Sequence, residues 1–257
     1  MPLLKFDGGM GWQLPQYAPY GSLQSNELHP QQVIELHRSF AQAGADLLCT
    51  NTFCLPLALH QGHPKALDWA RQAVDLALEA RTTQALFLSL GPAPLPDDLH
   101  HLKTGLSPIL DSLDGVILET QCSIPDALGW VRFLHEAGVK RLVLSFMPQP
   151  YFAQPGGARP FAEEVALTFQ NLVDGLGLNC GNGDALTEGL KELWATCDLP
   201  LLARPNRGVP KNGVYPLSSE DFCDELAACL QFGATLIGGC CGVDAHTLSQ
   251  AYKHLDA

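Results

Sequence analysis

The amino-acid sequence predicts a (β/α)8 TIM barrel, α/β in class, formed as a single domain over residues 1–257. Three observations carry that expectation. Short apolar runs alternate with stretches of helical spacing along the whole chain. The units recur about every 33 residues, so that eight of them fill the roughly 250 residues such a barrel needs. The chemically unusual residues gather where the apolar runs end, and a barrel of this kind places its function at the C-terminal ends of its strands. An open, doubly wound sheet is the alternative; it usually has fewer strands, and no G-x-G-x-x-G turn follows the first apolar run here.

Each element is read in order. The first strand is expected over 3–9, ending in Asp7-Gly8-Gly9-Met10-Gly11. A helix over 30–43 follows, with Val33, Leu36, His37 and Phe40 at helical spacing and Gly44 as its left-handed stop. The second strand, 46–53, ends in Thr50-Asn51-Thr52-Phe53, and the helix 64–80 repeats apolar residues at Leu67, Ala70, Val74, Ala77 and Leu78. The third strand, 86–91, ends in Gly91-Pro92. The stretch from there to Gly115 carries the weakest helical signal, with prolines at its start and at Pro108. Strand 115–121 ends in Glu119-Thr120-Gln121 and is followed by a helix over 125–137 that closes on Gly138. Strand 141–148 precedes a helix over 161–172. Strand 175–180 ends in Asn179-Cys180-Gly181 and leads to a helix over 184–195. Strand 200–206 ends in Arg204-Pro205-Asn206; a helix over 218–231 opens on the capping signal Ser218-Ser219-Glu220-Asp221 and stops at Gly233. The last strand, 235–240, runs into Gly238-Gly239-Cys240-Cys241-Gly242, and Asp244 opens the final helix, 244–255. Nearly every strand is apolar throughout, as suits strands covered on both faces.

Composition excludes several classes. The chain carries 15 Lys+Arg against 27 Asp+Glu, a formal net charge of −12. No basic run offers a footprint for a phosphate backbone, so no nucleic-acid partner is expected. No apolar run approaches the roughly 20 residues that span a bilayer, so no membrane association is expected. Residues 1–7 show no charged segment followed by an apolar one, so no export signal is expected. Nine cysteines without such a signal point to a reducing, cytoplasmic setting and to metal-binding or catalytic thiols, not a disulfide framework.

Cys240 and Cys241 are the most informative pair. Neighbouring cysteines reach the geometry of a disulfide with difficulty. They serve well as two metal ligands, with Cys180 as the third. Three thiolates on Zn2+ leave one position open, the mark of a catalytic site. A substrate thiol at that position would be held as thiolate at neutral pH and could attack an activated methyl group. Cys49, Cys54, Cys122, Cys197, Cys223 and Cys229 read as structural, with Cys54 and Cys122, at strand ends, the first exceptions. Asp7 and Glu119 would stand in a mostly apolar barrel mouth, where an unpaired carboxylate is costly and a ligand ammonium would offset the cost. Backbone N–H groups at Gly8 and Gly9 could approach a ligand carboxylate closely. Together these features suit an amino acid carrying a thiol. Arg204 and Asn206 are divided between a site role and simply pinning the loop after the seventh strand.

The set of motifs resembles the zinc-dependent homocysteine S-methyltransferase family. The matching residues are Asp7-Gly8-Gly9-Met10-Gly11, Gly44-Ala45-Asp46 leading to Thr50-Asn51-Thr52-Phe53, Gly91-Pro92, Glu119-Thr120, Gly177-Leu178-Asn179-Cys180, Arg204-Pro205-Asn206 with Gly208, and Gly238-Gly239-Cys240-Cys241-Gly242. The resemblance runs in order over nearly the whole chain. It implies a (β/α)8 barrel that transfers a methyl group to L-homocysteine, giving methionine. It further implies zinc on Cys180, Cys240 and Cys241, the substrate amino group on Asp7 and Glu119, its carboxylate at Gly8 and Gly9, and Thr52 and Asn206 on the substrate side. Arg207 departs from the pattern, which commonly has a small residue there. Two connections, 91–115 and 147–161, look short, and such loops shape the donor pocket. The donor stays open among a small sulfonium such as S-methylmethionine or S-adenosylmethionine, a betaine-type quaternary amine, and a methyl group delivered by a partner protein. Two other readings compete. One is a phosphate-binding aldolase or isomerase barrel using the glycine-rich turn after the eighth strand. The other is a non-catalytic protein that binds thiols or metal.

Overall fold

A computed structural model describes residues 2–149, 151–152 and 156–256. In chain order the elements are β1 (Leu4–Lys5), a 3-10 turn (Gly11–Gln13), α1 (Ser25–Leu28), α2 (Pro30–Gln42), β2 (Leu47–Cys49), α3 (Leu55–His60), α4 (Ala66–Ala80), β3 (Ala85–Leu90) and α5 (Leu99–Leu110). They continue with β4 (Gly115–Gln121), α6 (Ile124–Glu136), β5 (Leu142–Phe146), α7 (Ala158–Phe169), β6 (Gly175–Asn179), α8 (Gly183–Thr196), β7 (Leu201–Arg204), α9 (Ser219–Gln231), β8 (Ala234–Ile237) and α10 (Ala245–Leu255).

All neighbouring strands pair in parallel, in the order β1-β8-β7-β6-β5-β4-β3-β2. The two ends of that order meet. Phe6 bridges Leu47, the Asp7 N–H donates to the Leu47 carbonyl at 3.1 Å, and the Asp46 N–H donates to the Lys5 carbonyl at 2.7 Å. The sheet is thus a closed (β/α)8 barrel, as the alternation of elements predicts.

Side chains of alternate strand positions fill the interior: Phe6, Leu47, Phe87, Ile117, Val143, Leu202 and Leu236 are all buried there. Large and small residues face each other across it. A Cβ on Gly115 would stand 2.6 Å from Cζ of Phe87, so the large ring requires a neighbour with no side chain. The opposite face of each strand packs under the helices, with Trp130, Phe146, Phe169 and Phe222 fully buried. Tyr252 of α10 donates its hydroxyl to the Phe6 carbonyl and ties the last helix to the first strand.

The caps read from sequence are present. Ser218 and Asp221 form a reciprocal capping box on α9, Asp244 accepts from the Thr247 N–H, and Gly44, Gly138 and Gly233 take positive φ. Apart from β4, which spans 115–121 as expected, the strands are shorter at their C-terminal ends than the apolar pattern suggests. The second ends at Cys49 instead of residue 53: beyond Cys49 the Thr50 N–H still reaches the Phe87 carbonyl of β3, but the chain then turns, and the Thr50 and Thr52 hydroxyls bond each other while Thr52 reaches the Ser89 carbonyl. The weak stretch before Gly115 is helix α5, capped by Asp98 and carrying Pro108 in its last turn. Within the connection between β5 and α7, residues 150 and 153–155 lie outside the described residues. Among the described residues no helix is long and apolar enough to cross a membrane.

His37 of α2 is fully buried, and neither ring nitrogen finds a partner among the described residues. Burial pushes its pKa down from 6.5 to about 4. A base whose folded pKa is depressed stays neutral in the native state while the unfolded chain takes up a proton. Stability linked to His37 is therefore lost as pH falls from about 6.5 towards 4, by about 3 kcal/mol in all. Urea unfolding of His37→Phe across that range is expected to lack this component; an unchanged pH slope would refute the assignment.

Candidate metal and substrate site

The loop after β7 stitches the ends of β6 and β8 together and so sets the three thiols. Cys180 follows β6 with φ 60°, and its N–H donates to the Arg204 carbonyl at 3.2 Å. The Cys240 N–H donates to the Pro205 carbonyl at 2.9 Å, and the Arg207 N–H to the Cys241 carbonyl at 2.9 Å. Asn206 works in both directions: its N–H reaches the Gly181 carbonyl at 2.9 Å, and its Oδ1 accepts from the Cys241 N–H at 3.1 Å. Gly9 approaches from β1 so closely that a Cβ would stand 2.7 Å from the Cys240 carbonyl oxygen.

The result is a triangle in which the sulfur atoms of Cys180, Cys240 and Cys241 lie within 4.8 Å of one another, with Cys240 and Cys241 4.0 Å apart. Tetrahedral zinc with Zn–S bonds of about 2.3 Å separates its sulfurs by about 3.8 Å, so the donor set fits that ion. It is a poor fit for a disulfide, whose sulfurs are about 2.05 Å apart. The clustered thiols share their protons. Hydrogen bonds from Cys180 and Cys240 push Cys241 down to about 3, while the same cluster pushes Cys180 up.

Beside the triangle lies a charged floor. Arg204, the last residue of β7, is buried between two carboxylates: Nη2 donates to Asp7 Oδ1 at 3.2 Å and Nη1 to Glu119 Oε2 at 3.0 Å. Its Nε donates to the Gly239 carbonyl at 3.1 Å, and Nη1 lies 3.7 Å from Cys49 Sγ. Asp7 Oδ2 accepts from the Cys49 N–H at 2.6 Å. Glu119 Oε1 accepts from the Ser89 hydroxyl. Behind Ser89, the Thr52 hydroxyl donates to the Ser89 carbonyl at 2.7 Å and pairs with the Thr50 hydroxyl. Burial raises Asp7 to about 7 against the pull of Arg204, and it raises Glu119 as well. Above the floor opens a cavity of about 490 Å³. The three cysteines, Glu119, Trp12, Phe53 and Cys54 are among the residues that line it. Tyr215 meets the Trp12 ring edge-on, with centroids 6.1 Å apart.

The homocysteine S-methyltransferase family model matches residues 4–255. The chain belongs to that family. This family member is 26% identical to the methionine synthase of Mycobacterium leprae over 92% of its own length, and spans 23% of that longer protein. The corresponding protein of Mycobacterium tuberculosis is 27% identical over 84% of the chain and is spanned to 21%. Betaine-homocysteine S-methyltransferase of Drosophila melanogaster is 25% identical over 99% of this chain and 95% of its own. Among solved structures, the homocysteine methyltransferase MmuM from Escherichia coli superposes in its oxidised form with a TM-score of 0.76 at 21% identity, covering 98% of this chain and 96% of its own. Its metallated form gives 0.75 at 20% identity, covering 99% and 96%. At that identity the likeness concerns the fold.

In this family member the residues singled out from sequence fall into two groups. Gly8, Gly9, Glu119, Cys180, Cys240 and Cys241 line the cavity. Asp7, Thr52 and Asn206 are not among the residues that line it: Asp7 bonds Arg204 and Cys49, Thr52 props Ser89, and Asn206 holds the Cys241 turn. Sequence reasoning missed Ser89, Thr120 and Cys49 as lining residues, and left Arg204 undecided. For Arg204 a signal existed: an arginine ending an apolar strand needs a buried anion.

Proposed function

We propose that this protein transfers a methyl group from a donor to the sulfur of L-homocysteine, giving methionine, with zinc on Cys180, Cys240 and Cys241. The observation that carries the reading is the convergence of three thiols on one wall of a cavity whose floor bears Glu119. Bound there, zinc supplies an open fourth position that keeps the substrate sulfur as thiolate at neutral pH. The chain's own residues do the rest. Glu119, with Asp7 and Arg204 behind it, leaves one negative charge in excess when both carboxylates are ionised, matching one substrate ammonium. Gly8 and Gly9 leave their backbone open to a ligand carboxylate. Thr52, through Ser89, holds the Glu119 carboxylate in place, and Asn206 holds the Cys241 turn.

Trp12 and Phe53, 41% and 38% exposed, give the cavity two partly exposed aromatic lining residues. Ring faces attract cations, which suits a sulfonium or quaternary ammonium donor. Delivery by a partner protein is the second reading, favoured by relatives in which this barrel is about a quarter of a longer chain. Three thiolate ligands also suit a reducing compartment such as the cytoplasm. The phosphate-binding alternative fares worse. Arg204 is the cation that lines the cavity, and it is already shared between two carboxylates.

Protein purified in reducing buffer and incubated with homocysteine and a panel of donors tests the proposal. One bound zinc per chain and methionine from at least one donor are expected. Homocysteine binding with no methyl transfer, from free donors or candidate partners, would favour the non-catalytic reading.

A further inference from the structure

Asn179 ends β6, is fully buried, and divides its carboxamide between two walls of the cavity. Its Oδ1 accepts from the Thr120 N–H at 2.7 Å and from the Ser145 hydroxyl at 2.7 Å. Its Nδ2 donates to the Thr120 hydroxyl oxygen at 2.8 Å and to Cys240 Sγ at 3.7 Å. Thr120 itself is exceptional: a β-branched residue with φ 59°, in the left-handed region such residues avoid. Backbone of that kind persists only where its surroundings over-determine it. Here the two bonds from Asn179 do so. Thr120 lines the cavity directly after Glu119, the carboxylate on its floor.

We propose that Asn179 is a positioning residue that couples metal binding at Cys240 to amino-acid binding at Glu119 and Thr120. The inference rests on the proposed function, which supplies both ligands. A metal-bound sulfur is anionic and draws a stronger hydrogen bond than a thiol does. Metal at the triangle therefore fixes Nδ2 on Cys240. Because the carboxamide is planar, Oδ1 is fixed with it, and so is the Thr120 backbone that follows Glu119. Coupling of this kind is reciprocal: an amino acid at Glu119 steadies the carboxamide and tightens the metal site by the same factor.

L-2-Aminobutyrate tests this, because it has the amino-acid end and no sulfur to ligate the metal. In the wild type its Kd is expected to be at least about fivefold lower with zinc bound than without. Asn179→Ala is expected to bind zinc about 10- to 100-fold more weakly in a chelator competition. It should also bind L-2-aminobutyrate with no dependence on zinc. Thr120→Gly relieves the backbone strain and removes the hydroxyl while leaving the bond to Cys240 and the backbone N–H bond to Asn179 Oδ1; it is expected to keep wild-type zinc affinity and to show a clearly weaker zinc dependence. If Asn179→Ala does not fold, Thr120→Gly decides alone. Wild-type zinc dependence retained in the variants, or absent from the wild type, overturns this inference and leaves the functional reading standing. A wild type that binds no zinc overturns both.

Discussion

Cys240→Ser is expected to purify without zinc and to lose methyl transfer to homocysteine by more than about 100-fold, since even residues that only support a metal ligand cost 10- to 100-fold. Serine keeps the volume but not the chemistry. Its hydroxyl stays protonated at neutral pH, so two thiolates would have to hold an ion that fits three. Cys240 is the informative choice because it touches both other parts of the site: Asn179 on one side and the Cys241 sulfur 4.0 Å away on the other. The barrel should survive the change. Its core is built from the interior layer around Phe6 and Phe87 and from the apolar faces beneath the helices, none of which depends on the rim. Unfolding of metal-free wild type and metal-free variant should therefore nearly coincide. Cys223→Ser, a buried position on α9 away from the triangle, is the control and should keep one zinc per chain. Metal analysis beside a methyl-transfer assay decides the matter; a Cys240→Ser protein with a full complement of zinc would rule out the three-thiol site.

That the thiols were legible in sequence and the floor was not has a physical cause. A cysteine pair in a glycine-rich turn announces its chemistry through residue type alone, and Cys180 declares itself by ending a strand two units earlier. β4 and the final helices fall where the apolar spacing puts them, because that spacing is itself the record of which face is covered. Strand ends carry no such record. Residues 50–53 continue the β-branched character of β2, yet the register with β3 stops at Cys49, where the chain turns and side-chain bonds from Thr50 and Thr52 take over. The floor is less legible still. Asp7 and Arg204 are 197 residues apart in the chain, and Glu119 and Arg204 are 85 apart. Their pairing follows from barrel closure and from no local pattern. A carboxylate in an apolar barrel mouth is expected to need positive charge, from a ligand or from a salt bridge at the rim; the structure supplies one such charge from Arg204, which no local pattern pairs with Asp7 or Glu119. Thr52 and Asn206 show the same effect at second remove: each stands in a motif, and each acts on a neighbour.

Arg204→Met tests that floor and is expected to destabilise the protein by about 3–5 kcal/mol at neutral to alkaline pH, the usual cost of stranding a buried charge. The sign of its pH dependence follows from Asp7. Burial raises that carboxyl to about 7 even with Arg204 beside it. A carboxyl whose folded pKa exceeds its unfolded one holds its proton longer in the native state. Its favourable contribution is full below the unfolded value of 3.8 and is lost as pH rises to about 7. Removing Arg204 takes away the main influence opposing burial at both Asp7 and Glu119, so both carboxyls rise further. The window in which rising pH costs stability then widens. The gap between wild type and Arg204→Met should be small near pH 5 and grow towards pH 8. Asp7→Asn with Arg204→Met removes one of the two stranded charges and should recover part of the loss, which a purely steric role for the arginine would not allow. Urea unfolding at several pH values measures all of this. A gap that stays constant with pH would show that Arg204 matters for packing, and that the carboxylates hold their charge by other means. A growing gap would identify Arg204 as the resident counter-ion, one positive charge against two negative, which leaves the floor short by the single charge that a substrate ammonium brings.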